Sequence, residues 1–372
     1  MRICINGFSA QGGGGQTYLI NLLKELVAGD QAILLIVCEN NYSVFSRFAS
    51  EKIVIHVEPF ASKSIVHRVV WEFLVLPSFL IENRISKYYA PGGIMISRMP
   101  KGVSSITALR NSLPFDSAER KRFPILSYNR YKLLILKYIF LLSYILADRV
   151  LFISYTSRDV VKGYISSIDN KSTVIPHGIS PNLFKTTTDI DERLQSGEFY
   201  LYVSILDVYK CQIEVIKAWL KLDKRGFEYP LVLIGPKYNK YGQQVIDFIS
   251  ENSLDDKVLY LGKIDYEDIG GYYSAARALI FASSCECCPN ILLEKLAAGK
   301  PILCSNIPPM PEFGGDAVLY FDPYSVESLV GKVLEIESDG EMLQKLGERA
   351  WERSKIYDWK ITTRKTIDFI LD

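Results

Sequence analysis

The sequence predicts an α/β protein built from two doubly wound domains that face each other across a cleft. Short β-branched runs alternate with longer segments of helical period, which is typical of parallel sheets covered by helices. This rhythm breaks once, at the polar and turn-rich residues 177–198, and then restarts with a new apolar strand. Because ligands of open α/β sheets bind beyond the carboxyl ends of the strands, we expect the chemistry to lie in the cleft.

The predicted elements follow one another in the same manner in both halves. The predicted strands are RICIN, AILLIVC, IVIHV, RVLFIS and STVIP before the break, and FYLYVSIL, PLVLIG, KVLYLG, ALIFAS and PILCS after it. The first predicted helix carries a leucine stripe that faces a sheet, formed by Leu19, Leu22, Leu23 and Leu26. We therefore expect a first domain at 1–182, a second at 183–355, and a C-terminal helix at 356–372 that packs back on the first.

Composition excludes several classes of protein. With 372 residues, 48% of them hydrophobic, the chain can form two cores of ordinary size. Lys plus Arg number 43 and Asp plus Glu 42, so no global field favours nucleic acid. The N-terminal stretch lacks the apolar core of a signal peptide, and the seven cysteines do not form a secreted disulfide pattern. We expect reduced thiols and a cytoplasmic location.

Residues 283–305 contain a strand, a turn and a helix in close succession. Glu286 lies just beyond the predicted strand ALIFAS and should face the cleft. Pro289 suits the first position of the following helix, and Gly299 suits its end. The start of that helix presents backbone N–H groups and a positive dipole end, which favour an anion such as phosphate.

Two glutamates frame this turn. Glu286 precedes the helix and Glu294 lies in its first turns, so the two carboxylates can hold one extended ligand from two sides. A carboxylate accepts two hydrogen bonds at once, which suits the vicinal hydroxyls of a ribose or a hexose. In the alternative interpretation, Glu294 complements the helix dipole and Glu286 is a solvated loop charge.

The cysteines of the same stretch fit a metal site poorly. Zinc ligands usually come as two separated pairs, whereas Cys285, Cys287 and Cys288 crowd onto one turn, and Cys304 ends the next strand. Apolar packing is the favoured interpretation, and a cysteine metal centre is the alternative. The acidic triplet Asp189 to Asp191 is interpreted as a solvated turn, so we expect no metal.

One long motif and several shorter ones carry a family resemblance. Residues 286–303, ECCPNILLEKLAAGKPIL, hold two glutamates separated by seven residues. Other landmarks are GGGGQTYLINLL, TVIPHGI, LYVSILDVYKCQIEVIKAW, LVLIGP and KVLYLGKIDYEDI. This combination resembles the retaining glycosyltransferases of family 4, also called group 1, which have the two-domain GT-B fold. The segments ALRNSLPFD and SNIPPMPEFGGDAVLYFDP are most similar to the bacterial enzymes of that family that build surface polysaccharide.

The resemblance implies a role for each matching position. Glu294 would bind the ribose of a nucleotide-sugar, Glu286 would contact the donor sugar, and Lys210 would neutralise the diphosphate. Gly14 and Gly15 would let the N-terminal loop approach the donor. Further donor contacts would come from Ser204, Gly235, Lys263, Ile264, Cys287, Pro289, Asn290 and Ile291. Glu286, Lys210 and Arg110 form the expected catalytic set, with Arg110 and Asn111 on the acceptor side.

Three positions depart from the pattern of that family. Ile205 stands where the family often has an arginine, so one phosphate cation is missing or supplied elsewhere. Cys287 and Cys288 stand where glycines are common, which puts the identity of the donor in doubt. Arg110 stands where a histidine commonly faces the reacting centre. An arginine stays protonated at neutral pH, so its role would be electrostatic, or it pairs ions between domains.

The expected function is that of a metal-independent and cofactor-independent hexosyltransferase. It would move a sugar from a nucleotide diphosphate sugar to a growing, lipid-linked glycan of the O-antigen, lipopolysaccharide or capsule type. Two alternatives stay open: a GT-B nucleotide-sugar epimerase, and a glycosyltransferase-like subunit that binds without catalysis.

Residues 119–147 join basic and apolar side chains. The basic ones are Arg120, Lys121, Arg122, Arg130, Lys132 and Lys137. The segment is either an anchor on the cytoplasmic face of the membrane or part of the first domain's core. Its longest uncharged apolar run, 138–147, is half a membrane span.

Overall fold

A computed structural model describes residues 2–180, 183–184 and 190–372. The chain divides into two compact units. One consists of Met1–His177 together with Trp359–Asp372, and the other is Gly178–Asp358. The chain therefore passes from the first unit into the second at the start of the polar stretch 177–198. It re-enters the first unit just before the C-terminal helix.

The first unit is built on a seven-stranded parallel sheet in the order β3-β2-β1-β4-β5-β6-β7. Its strands are β1 (Arg2–Asn6), β2 (Ala32–Val37), β3 (Ile53–Val57), β4 (Lys87–Ala90), β5 (Ser104–Leu109), β6 (Arg149–Phe152) and β7 (Ser172–Val174). Strands β1, β2, β5 and β6 are almost entirely buried, as expected for a parallel sheet with covered faces.

Eight helices connect these strands. They are α1 (Gly13–Ala28), α2 (Glu39–Phe45), α3 (Pro59–Ser62), α4 (Ile65–Leu74), α5 (Leu76–Glu82), α6 (Ser117–Arg122), α7 (Tyr128–Leu146) and α8 (Tyr155–Lys162). The leucine stripe predicted for the first helix is confirmed, because all four leucines of α1 are buried. Side-chain caps define several helix starts, including Ser127 at α7, whose hydroxyl accepts the Arg130 amide.

The second unit repeats the plan with a six-stranded parallel sheet in the order β10-β9-β8-β11-β12-β13. Its strands are β8 (Tyr200–Val203), β9 (Leu231–Ile234), β10 (Val258–Tyr260), β11 (Ala278–Phe281), β12 (Ile302–Ser305) and β13 (Leu319–Phe321). Its helices are α9 (Gln212–Asp223), α10 (Lys240–Glu251), α11 (Ile269–Ala275), α12 (Asn290–Ala297), α13 (Met310–Gly314), α14 (Val326–Glu337) and α15 (Gly340–Ser354). The four central strands β9, β8, β11 and β12 are buried throughout.

The last helix, α16 (Trp359–Leu371), belongs to the first unit. The Thr362 hydroxyl donates to the Pro176 carbonyl at 2.8 Å, and Arg149 donates to the Phe369 carbonyl at 2.7 Å. The Trp359 ring lies 5.4 Å from that of His177. These contacts fix the chain's end to strand β6 and to the segment that follows β7.

Helix α7 has one face in the core and the other on the surface. Leu133, Phe140 and Tyr144 are buried. The interpretation of this segment as core is therefore correct for one face, while its other face is exposed and apolar. In the part of the chain that the structure describes, no helix combines the length and the apolar character needed to cross a bilayer.

Candidate functional site

The carboxyl ends of the central strands of the second unit bring several predicted residues to one edge of the sheet. Ser204 follows β8, Gly235 follows the neighbouring β9, and Glu286 lies a short loop beyond β11, which pairs with β8 on its other side. Gly235 has a φ of +147°, and a Cβ there would lie 1.9 Å from the Ser204 carbonyl oxygen. Only glycine fits this contact. The donor contact predicted for Gly235 stays a prediction.

Lys210 lies on a short 3-10 turn, Val208–Lys210, that follows β8. The Asp207 carboxylate caps the turn by accepting the Val208 amide at 2.7 Å, and Tyr202 donates its hydroxyl to the Lys210 carbonyl. The residue is only 5% exposed, and its ammonium pairs with the Glu286 carboxylate. Lys210 is therefore not a surface lysine. A buried ion pair of this kind needs further partners to offset the desolvation of both charges.

Glu286 receives that further support from the loop on which it lies. The Ser283 hydroxyl donates to the same carboxylate oxygen at 2.8 Å. Ser284 joins the loop to the turn of Lys210, because its amide and hydroxyl donate to the Tyr209 carbonyl at 2.8 and 3.0 Å. The two serines were not predicted as site residues. Their position two and three residues before a carboxylate at a strand end is the signal that points to them.

Glu294 has different partners from Glu286. It lies on α12 and accepts hydrogen bonds from the hydroxyls of Tyr266, at 3.1 Å, and Tyr273, at 3.5 Å. Desolvation raises the pKa of Glu294 to about 7, although its two tyrosine donors and Lys295 lower it. A carboxyl group that titrates near neutral pH is unusual for a residue that only complements a helix dipole.

The helix that carries Glu294 begins one residue later than predicted. Pro289 has a ψ of 74°, outside the helical range, so it flanks the helix and Asn290 is the first helical residue. At the other end, Gly299 has a φ of +63°, as expected for a glycine that terminates a helix. The helix start next to Glu286 is thus retained, with its first turn at Asn290 and Ile291.

The remaining predicted donor contacts of the second unit lie on loops at the same edge. Lys263 is exposed and Ile264 is partly buried, and both follow β10 after Gly262, whose φ is +72°. Cys287 is buried on the loop between β11 and α12. No contact of these side chains bears on the predicted interaction with a nucleotide base, which stays a prediction.

The cysteines of the turn are packed inside the protein. Cys285, Cys287 and Cys288 are all less than 10% exposed. Across residues 2–180, 183–184 and 190–372, no group of three or more metal-ligating side chains comes together. Of the acidic triplet, Asp189 lies outside the described residues. The Arg193 guanidinium lowers the pKa of Asp191 to about 2 through a direct ion pair.

Four buried polar atoms of the second unit have no hydrogen-bond partner among the described residues, and two of them bear on the candidate site. One is the hydroxyl of Ser204, which was predicted to contact the donor. The other is the ammonium of Lys295, a residue that the sequence analysis did not single out. An unpartnered buried polar group is costly, so each position calls for a ligand or an electrostatic partner.

In the glycine loop of the first unit, residues 12–15, little packs against several of the glycines. At Gly12 and Gly13 an added Cβ would meet nothing within 4 Å, and at Gly15 it would make only an ordinary contact with Ser9. Gly13 has a φ of +55°, a left-handed conformation that explains why this position is a glycine. Packing within the protein does not explain the glycines at positions 12 and 15. The approach of a ligand to Gly14 and Gly15 stays a prediction.

Arg110 lies at the end of β5 in an aromatic setting. Its guanidinium is 3.3 Å from the centre of the Tyr18 ring and donates to the Tyr89 hydroxyl at 3.1 Å. It also contacts His177 Nε2 and the Pro91 carbonyl. The guanidinium is therefore held in place by its own unit. Asn111 is exposed, and its side chain accepts the Leu113 amide at 3.1 Å.

Comparison with known proteins agrees with this architecture. Residues 186–353 match the family model described as glycosyl transferases group 1. The O-antigen chain mannosyltransferase B of Escherichia coli is 28% identical over 173 residues, which cover 46% of this chain and 45% of that protein. The chain thus spans about half the length, or less, of such curated relatives.

Solved structures match over nearly the whole chain. HepE of Anabaena, solved with UDP and glucose, has a TM-score of 0.72 at 17% identity, covering 99% of this chain and 98% of that one. WaaG, described as a glycosyltransferase involved in lipopolysaccharide biosynthesis, has a TM-score of 0.71 at 14% identity, covering 100% and 99%. The two parallel sheets and these matches define the GT-B fold, which confirms the predicted fold class. Over residues 186–353, the second unit is similar to the glycosyl transferases group 1, the family that the resemblance implied.

Proposed function

We propose that the protein is a retaining hexosyltransferase that moves a sugar from a nucleotide diphosphate sugar to a growing, lipid-linked bacterial surface glycan. This proposal rests on the cluster of charged residues at the sheet edge of the second unit. Lys210, on the turn after β8, pairs with Glu286, on the loop after β11, and Glu294 lies on the helix α12 that follows this loop. O-antigen mannosyltransferases among the relatives support a glycan of the O-antigen type, and they make mannose the first donor sugar to test.

The proposed roles follow from the partners of each residue. Glu294 accepts hydroxyl donors in the structure, and the two hydroxyls of a ribose would take the same role. Lys210 and the start of α12 supply positive charge to the diphosphate, whose negative charge grows as the bond to the sugar breaks. This arrangement provides leaving-group stabilisation without a metal ion or another cofactor.

Glu286 stands next to that leaving group. Its carboxylate pairs with the Lys210 ammonium, and both side chains are largely buried. A carboxylate in this position favours a sugar ring that gains positive charge in the transition state. Arg110, fixed by Tyr18 and Tyr89, would act electrostatically on the acceptor side with Asn111, because a guanidinium does not release its proton at neutral pH.

We also propose that the protein works in the cytoplasm, attached to the anionic inner face of the membrane through α7. Apolar side chains project from this helix at successive turns, namely Tyr131, Ile135, Tyr138, Leu142 and Ile145. Ile125 and Leu126, just before the helix, and Tyr128, its first residue, extend the apolar surface. Lys132 lies about a quarter turn to one side of this row of apolar side chains, and Arg130 and Lys137 lie on its other side. No acidic residue occurs from 120 to 147, so the charge complements anionic lipid, where the acceptor would reside.

The proposed activity is tested by incubating the purified chain with a panel of nucleotide diphosphate sugars, including those of mannose and glucose, and a bacterial lipid extract. We expect transfer of one sugar to a lipid-extractable product, with the anomeric configuration of the donor retained. Conversion of a donor without acceptor would identify an epimerase instead. Donor binding without turnover in any extract would identify a non-catalytic subunit.

A further inference from the structure

Lys295 is a fully buried lysine next to the glutamate that we assign to the ribose. Its exposed fraction is 0%, and its ammonium donates no hydrogen bond to any of the described residues. A lone ammonium in such a place would be strongly disfavoured unless a negative or polarisable group compensates for the lost hydration. Its surroundings therefore have to supply an electrostatic partner.

Tyr273 on the neighbouring helix α11 joins Lys295 to Glu294. The Lys295 ammonium lies 4.8 Å from the centre of the Tyr273 ring, and the hydroxyl of the same ring donates to the Glu294 carboxylate at 3.5 Å. Successive residues of a helix point in different directions, so Lys295 and Glu294 do not face each other directly. A carboxylate that accepts the phenol hydroxyl increases the electron density of the ring, and this density attracts the cation over the ring face. The two interactions therefore strengthen each other.

The other groups that act on the two residues are few. Lys210 and Cys304 act on Lys295, while Tyr266 and Tyr273 donate to Glu294. Burial lowers the pKa of Lys295 to about 7 and raises that of Glu294 to about 7, and each residue opposes the shift of the other. The two groups therefore favour each other's charged form at neutral pH.

We propose that Lys295 is a positioning residue that keeps Glu294 ionised through Tyr273, so that the carboxylate can accept the ribose hydroxyls of the donor. This inference rests on the proposed function of Glu294. It adds a cation to the donor site of a chain that has Ile205 where the resembling family often has an arginine. The cation acts on the ribose-binding group instead of on the diphosphate.

The test compares the wild type with Lys295→Met, and Lys217→Met serves as the control at an exposed site on α9. Dissociation constants for UDP and for GDP are measured by calorimetry from pH 5.5 to 9. Without the counter-charge, Glu294 should hold its proton to a higher pH. We expect the loss of affinity at low pH to begin about one pH unit higher, which makes binding about tenfold weaker near pH 6.5, with convergence near pH 9.

Titration of the phosphates of UDP and GDP is common to all variants and cancels in the comparison. Lys295→Gln provides a second neutral variant if the methionine protein does not fold. An unchanged pH profile in a folded neutral variant would overturn the inference.

If neither nucleotide binds to the wild type, the proposed function fails while the inference is still testable. The carboxyl ¹³C resonance of Glu294, assigned by its absence in Glu294→Gln, then reports the pKa directly. A higher pKa in Lys295→Met supports the counter-charge, and an identical pKa contradicts it.

Discussion

Glu286 and Glu294 are chemically alike, but their partners separate the roles that we assign to them. The Glu286 carboxylate pairs with a buried lysine and accepts a serine hydroxyl, whereas the donors to Glu294 among the described residues are tyrosine hydroxyls. Isosteric replacement by glutamine keeps the shape of each side chain and removes its charge. The two variants should therefore fail in different steps.

We expect Glu294→Gln to raise KM for the donor about tenfold or more, because charge-assisted hydrogen bonds to the ribose are lost in substrate and transition state alike. Glu286→Gln should lower kcat by about 10² or more, since the stabilised charge develops only in the transition state. Steady-state kinetics measure both effects, with Glu251→Gln on α10 as the exposed control. Equal changes in KM and kcat for both variants would contradict the assignment.

Lys295 also predicts how stability depends on pH. Its pKa is about 7 in the folded protein, whereas an unfolded lysine titrates near 10.4. Between these values the unfolded chain binds a proton that the folded chain does not, so the free energy of unfolding should rise with pH. The slope from this group is about 1.4 kcal/mol per pH unit.

Lys295→Met removes that titration. The variant should be more stable than the wild type at pH 7, and the difference should shrink as the pH rises toward 9.5. Urea unfolding at several pH values gives the two curves. If they run parallel over this range, as we expect for Lys217→Met, Lys295 does not titrate in the way that its burial implies.

At the scale of elements, the turn between β11 and α12 contains two kinds of residue: cysteines that pack inside the protein, and Glu286, to which we assign a role in catalysis. Its cysteines are buried, and a buried hydroxyl in place of a thiol needs a hydrogen-bond partner. Cys285→Ser and Cys288→Ser should each lower the free energy of unfolding by about 1–3 kcal/mol while kcat changes little. The purified protein should contain no stoichiometric zinc. Joint loss of bound zinc and activity in these variants would instead identify a cysteine metal centre.

The exposed apolar row of helix α7 leads to a separate prediction, because the exposed face of an ordinary surface helix is polar. Ile135→Glu combined with Tyr138→Glu should abolish flotation with anionic vesicles at low salt. Tyr324→Glu, a change at an exposed tyrosine of the second unit, should leave flotation unchanged. Binding of the wild type should weaken in high salt, since each basic residue contributes about 1 kcal/mol. Absence of wild-type binding at low salt would refute the membrane proposal.

Sequence periodicity predicted the elements with the strongest patterns and missed those without one. The predicted strands RICIN, ALIFAS and PILCS coincide with β1, β11 and β12, because apolar runs bounded by turn residues are unambiguous. Strand β4 was not predicted: it holds only four residues, KYYA, and its tyrosine hydroxyls are satisfied by partners distant in sequence.

The same limit applies to the candidate site. The motif from Glu286 to Glu294 identified the two glutamates, and the pairing of Glu286 with Lys210 joins residues that lie far apart in the chain. Lys295 was missed because its environment comes from α11 and β12, which no local pattern connects to it. Burial of a charged side chain is a property of the fold, so only the structure reveals it.

At the scale of the whole molecule, two parallel sheets of similar plan carry different chemistry. The first unit has its open glycine loop and the fixed guanidinium of Arg110, and it includes the last helix of the chain. The second unit carries both glutamates and both buried lysines. We propose that the second unit stabilises a departing nucleoside diphosphate with Lys210 and a helix start, without a metal ion.

The most direct test of that claim is sugar transfer from the active donor in excess EDTA, measured for the wild type and for Lys210→Ala. We predict that the wild type keeps its rate, and that Lys210→Ala loses at least about 10² in kcat, because the leaving group loses its cation and Glu286 is left unpaired. A wild type that is inactive in EDTA and recovers with manganese, or a Lys210→Ala variant that transfers at the wild-type rate, would contradict the account.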